Sequence, residues 1–248
     1  MPAMNLLAFD TSTDTLSVAV QHGAQVLEHS GPGGAQASTT LIPAIRALLA
    51  QAGLTFARLD AVVFGRGPGS FTGLRTACSV AQGLAFGARG GLGVPVLPVD
   101  SLLAVAEQAR AEHGCTRVLA TLDARMNEVY CAPYQWLPDG GMPAGGRWSE
   151  PQDFGLCAPE AVVLPAGWTL AGNARAAYGA RLAPDSPTEP DVPALPTAGA
   201  MLRLAPALLA AGRAVPADAA LPRYIRDKVA QTTAEREAAR RASAAQAS

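Results

Sequence analysis

The run GRGPGSFTGLR at residues 65–75 constrains this chain more than any other feature. It follows AVVF at 61–64, which reads as a short buried strand, and it leads into a stretch with helical spacing from 72 to about 86. Gly65, Gly67, Gly69 and Gly73 permit a tight turn and close backbone approach, and Ser70 or Thr72 can cap the helix. A strand feeding a helix through such a turn belongs in an α/β layer. Two readings of the turn stay open. In one, free N–H groups at the helix start, together with Asp10, Ser12, Arg66, Gly69, Ser70 and Arg75, form an anion or nucleotide site. In the other, the glycines only let strand, turn and helix pack closely.

The flanking segments extend the α/β pattern. Residues 5–9 (NLLAF), 15–21 (TLSVAVQ) and 25–29 read as strands joined by turns of hairpin length. A helix is expected at 38–52, capped by Ser38, Thr39 or Thr40 and closed by Gly53. Leu41, Ile45 and Leu48 share one of its faces. A strand at 94–99 and a helix at 101–112, with Ser101 as N-cap, continue the order β-β-β-α-β-α. That is the order of a ribonuclease-H-like layer, as in actin and sugar kinases. Strands at 117–122 and 128–135 follow, then Pro/Gly-rich stretches at 137–146 and 184–196 that look looser, then a helix at 198–211.

Composition excludes several functions. Lys+Arg 19 against Asp+Glu 20 leaves a net charge of −1, so any dealings with RNA are expected to pass through a partner. Lys228 is the only lysine, which rules out a Walker A loop. Ser70 lacks the GxSxG setting of a hydrolase nucleophile, and the three histidines form no HxxxH pair. No catalytic residue and no metal site is expected. The four cysteines make no CxxC pair and read as reduced, mostly buried thiols. Apolar stretches are too short to span a bilayer and the first ten residues lack a basic leader, so a cytoplasmic protein with no membrane contact is expected.

Asp10, Thr11 and Ser12 close the first strand, and Asp123 closes a later one. In actin-like folds an acid at the first position places Mg²⁺ and phosphate; a carboxylate that caps a turn is the alternative. On the helix after the glycine turn, Ala77, Ala81 and Ala85 form a small-residue edge beside Thr76, Val80 and Leu84. Such an edge suits a second helix at close range, in a partner or in the chain's own fold.

Four segments together resemble the TsaB (YeaZ) family: LAFDTS at 7–12, GRGPGSFTGLR at 65–75, LDARMNEVYCAPY at 122–134 and LPRYIRDKV at 221–229. The resemblance implies an α/β, actin-like (ASKHA, ribonuclease-H-like) two-lobed fold with mixed sheets flanked by helices. Residues 1–100 would form the first lobe and 101–217 a smaller second one; 218–232 would pack back on the first, and the tail 233–248 would be disordered. It further implies a non-catalytic subunit that dimerises with TsaD and works with the ATPase TsaE. The product would be N6-threonylcarbamoyladenosine at position 37 of tRNAs reading codons that begin with A, with tRNA reached only through the complex. Leu41, Ile45, Leu48, Thr76, Val80 and Leu84 are the interface candidates, and the same surface suits a homodimer of the free chain. No tightly bound cofactor is expected; ATP or ADP would sit only at the partner interface. The rival expectation is an actin-fold ATP-dependent phosphotransferase using Asp10 and Asp123.

Overall fold

The computed structural model describes residues 4–138, 145–150, 154–186 and 191–226. Strand β1 (Asn5–Asp10) is almost wholly buried because both its faces are covered. Leu7 and Phe9 join one core cluster, while Leu6 and Ala8 join another on the opposite side. Strands β2 (Thr15–His22) and β3 (Gln25–Pro32) pair antiparallel in succession. Strands β4 (Ala61–Gly67) and β5 (Val96–Asp100) add in parallel, giving the order β3-β2-β1-β4-β5.

Parallel neighbours need crossovers, and helices α1 (Ala37–Gln51) and α2 (Phe71–Gly87) lie on them. Both cover the Leu7 and Phe9 face. Leu41, Ile45 and Leu48 of α1 and Ala77, Ala81 and Ala85 of α2 are buried in this cluster. Fully burying a side chain of leucine size contributes about 2 kcal/mol, so α1 is held mainly by these contacts.

Helix α3 (Ser101–His113) leads to a second sheet of β6 (Arg117–Asp123), β7 (Val129–Pro138), β8 (Gly146–Trp148), β9 (Gly155–Cys157), β10 (Thr169–Gly172) and β11 (Asp191–Pro193). Its order is β11-β10-β6-β7-β8, with β9 also pairing along β7. Helix α4 (Ala174–Tyr178) is short, and α5 (Ala198–Ala210) returns to the first sheet. Helices α3 and α5 serve both sheets. One cluster joins Leu6 and Val63, Leu102 and Val105, Met201, and Val118 and Ala120. Buried Glu107 of α3 ties this layer together, accepting from Arg110 at 3.0 Å, Arg203 at 3.2 Å and Trp148 Nε1 at 2.9 Å.

Several local expectations need correction. Helix α1 starts at Ala37 after Gln36, without a side-chain cap; Thr39 and Thr40 donate instead to the Gln36 carbonyl. Ser101 does not cap α3. Asp100 holds that position, and the Ser101 hydroxyl goes to Asp10. Among the described residues of the middle region lie β8, β9, β10, β11 and α4, while residues 139–144 and 187–190 of its Pro/Gly-rich stretches lie outside the described residues. Of the cysteines only Cys78 is fully buried; Cys115, Cys131 and Cys157 are half-buried. The tail 233–248 lies outside the described residues, as does residue 227 onward of the LPRYIRDKV segment. No helix among the described residues is long and apolar enough to cross a membrane.

Candidate cleft and docking face

Strands β1, β4 and β6 all end near one cleft between the two sheets. Its cavity is about 320 Å³, lined by Ser12, Gly69, Ser70, Asp123, Arg125 and Tyr224 among others. The turn after β1 and the turn before α2 are joined backbone to backbone. Ser70 N–H donates to the Ser12 carbonyl at 2.7 Å, and the Thr11 hydroxyl donates to the Gly73 carbonyl at 2.7 Å. A Cβ at Gly69 would fall 2.5 Å from the Ser12 carbonyl oxygen, and one at Gly73 only 1.8 Å from that of Thr11. No side chain fits there. Ser70 is the N-cap of α2, accepting from Gly73 N–H at 3.4 Å, and Leu74 N–H bonds the Ser70 carbonyl at 2.8 Å. The N–H groups of Ser70, Gly73 and Leu74 thus serve the chain's own turn.

The two carboxylates are also committed internally. Asp10 is fully buried. Its Oδ1 accepts from Ser12 N–H at 2.7 Å and Ser12 Oγ at 2.6 Å, and its Oδ2 from Ser101 Oγ at 3.0 Å. Burial outweighs these bonds and raises its pKa to about 6. Asp123 Oδ1 accepts from Arg125 N–H at 2.8 Å and Tyr178 Oη at 2.7 Å, while Oδ2 pairs with the Arg125 guanidinium at 3.2 Å. Burial, and then the Asp123 carboxylate, push Tyr178 up to about 12. Among the described residues no group of three or more His, Cys, Asp or Glu is placed to hold a metal ion.

The candidate cations are likewise engaged. Arg66 grips Asp100 through two bonds of 2.6 and 3.1 Å. Arg75 lies 3.8 Å over the Phe71 ring and donates to Tyr224 Oη at 3.1 Å. The structure thus brings Ser12, Gly69 and Ser70 to the cleft wall but leaves Arg66 and Arg75 off it.

The expectation that 218–232 packs back on the first lobe did not foresee the strap that residues 223–226 form at the cleft. Arg223 N–H donates to the Arg66 carbonyl at 2.7 Å, and its guanidinium lies 3.9 Å over Phe154. Tyr224 packs on Phe71 with ring centroids 5.1 Å apart. Arg226 bonds Glu128 across the cleft. A second link joins Arg125 to Asp14, a hydrogen bond that raises the arginine's pKa. Arg125, Met126 and Asn127 all hold left-handed backbone, with φ of 58°, 54° and 63°. The only signal was the mixture of Arg, Tyr and Ile in LPRYIRDKV.

The expected docking helices divide. Leu41, Ile45 and Leu48 are core residues and offer a partner nothing, which corrects their place among the interface candidates. The Ala77, Ala81 and Ala85 edge is likewise spent inside the fold. Thr76, Val80 and Leu84 are half-buried and border an exposed strip of Thr72, Ser79, Gly83 and Phe86. Phe86 is 75% exposed and Ile42 of α1 45%. Arg75 is the only charged residue on the exposed part of α2.

A family model described as TsaD, tRNA N6-adenosine threonylcarbamoyltransferase, matches residues 27–146. The tRNA threonylcarbamoyladenosine biosynthesis protein TsaB of Escherichia coli is 34% identical over 234 residues, covering 92% of this chain and 96% of that protein. The TsaB protein of Haemophilus influenzae is 43% identical over 130 residues, about half of each chain at 52% and 53%. The solved structure of YeaZ from Pseudomonas aeruginosa superposes with a TM-score of 0.76 at 38% identity, covering 90% of this chain and all of that one.

Proposed function

The chain belongs to the TsaB (YeaZ) family, and from that premise we propose that it is a non-catalytic subunit in the synthesis of N6-threonylcarbamoyladenosine in tRNA. Its role is to hold a TsaD enzyme in an active arrangement, with the ATPase TsaE as a further member and tRNA reached through the complex. The setting is cytoplasmic.

The observation that carries this reading is the outer strip of α2. Thr76, Ser79, Val80, Gly83, Leu84 and Phe86 form a nearly uncharged surface with a small central residue, and nothing within 4 Å of a Cβ built at Gly83. A strip of that kind accepts another helix closely. Docking activates TsaD only if this chain binds the active state of TsaD more tightly than the inactive one. Reconstitution of tRNA modification with TsaD, TsaE, the threonylcarbamoyl-AMP synthase and tRNA tests this. Modification should fall to background when the chain is left out; equal modification without it would sink the reading.

The phosphotransferase alternative has weaker support. It needs Asp10 and Asp123 to face Mg-ATP, whereas their oxygens already accept from Ser12, Ser101, Arg125 and Tyr178. Calorimetric titration of the isolated chain with Mg-ATP separates the two: tight binding favours the kinase.

A further inference from the structure

Strand β9 pairs antiparallel with β7 so that Cys131 faces Gly155 and Cys157 faces Val129. Side chains two residues apart along paired strands share a face, so both thiols lie on the same side of the second sheet. Gly155 matters here. A Cβ at that position would sit 2.7 Å from Cys131 Sγ, so the sulfur leans onto β9 over the one residue that leaves room. The Cys157 thiol lies close enough to Cys131 to add to burial in raising that thiol's pKa. Both are half-buried against the cluster that includes Trp168 and Tyr178, and a small reagent can reach them.

We propose that Cys131 and Cys157 are a built thiol pair that a small disulfide compound oxidises to an intramolecular disulfide, fastening β9 to β7. In the first step the Cys157 thiolate attacks one sulfur of the small disulfide and expels a thiolate. In the second, Cys131 gives its proton to solvent and attacks the Cys157 sulfur, expelling the second thiolate. The chain loses two electrons and two protons, and the oxidant becomes two thiols. The order follows from the surroundings. Burial first, and the neighbouring Cys157, push the Cys131 thiol up to about 12, which disfavours Cys131 as the initial nucleophile. Cys78 has no such partner: its thiol is buried and donates to the Ala220 carbonyl at 3.2 Å.

The test equilibrates the full chain with glutathione over a series of oxidised-to-reduced ratios, then alkylates and measures intact and peptide masses. Under oxidising ratios two of the four thiols should resist alkylation, with the peptides of Cys131 and Cys157 linked. The melting temperature should rise by several degrees. In Cys131→Ser the glutathione adduct at Cys157 should persist and the rise should vanish; Cys131→Ala provides the same arm if that variant folds poorly. Cys115→Ser should behave as the parent does. The proposal is overturned by four alkylated thiols at every ratio, by a linkage through Cys78 or Cys115, or by a lasting adduct on Cys157 in the parent chain.

Discussion

Gly73 and Thr11 meet with no room for a single added atom: a Cβ on Gly73 would lie 1.8 Å from the Thr11 carbonyl oxygen, and the Thr11 hydroxyl returns a 2.7 Å bond to the Gly73 carbonyl. This contact fixes where α2 leaves β4 and therefore where its outer strip points. Gly73→Ala should cost about 3 kcal/mol or more, since backbone rather than a flexible side chain must move. Urea denaturation measures it. A loss within experimental error would mean that the two turns are not locked together.

Asp10 makes folding sensitive to mild acid in an unusual direction. Its carboxyl titrates at about 6 when folded against an ordinary 3.8, so the folded chain holds the proton more tightly. Its contribution is intact below pH 3.8 and is lost as pH rises to about 6, by about 3 kcal/mol. Asp10→Asn removes the charge, so its stability relative to the parent should grow between about pH 4 and 6 and then level off. A difference that stays flat across that window would contradict the burial argument.

Ile45 is fully buried beneath α1. Ile45→Ala should destabilise the chain by about 2–4 kcal/mol, while TsaD affinity, measured where both forms are folded, stays within about twofold of the parent. Intact stability with lost affinity would return Ile45 to the interface.

Gly83 lies open in the middle of the exposed strip of α2. Gly83→Arg should hold or raise the melting temperature, because glycine is poor in a helix interior by about 1 kcal/mol. The same substitution should weaken TsaD binding at least about tenfold by calorimetry, since a long cation would stand between the helices. Undiminished binding would place the docking face elsewhere.

Much of the fold was legible because the relevant signals are local. Alternation and apolar runs marked β1, β2 and β4, and the glycine turn marked the start of α2 with Ser70 or Thr72 as its cap, of which the structure takes Ser70. Short strands such as β9 and β11 were not legible, because three residues carry no period. The cap expected at Ser101 failed for a different reason: a hydroxyl that can cap a helix can equally satisfy a buried carboxylate, and Asp10 needed it more.

The sequence by itself determined the layer type, the absence of a Walker lysine and the special backbone freedom of residues 65–73, because these depend on residue identity and near neighbours. Only the tertiary structure decided which helix face is free and whether the carboxylates are available. Leu41 and Phe86 are both large apolar residues on helices, yet one is fully buried and the other 75% exposed. The difference is set by the sheet against which α1 and α2 lie, whose strands are contributed by residues far apart in the chain.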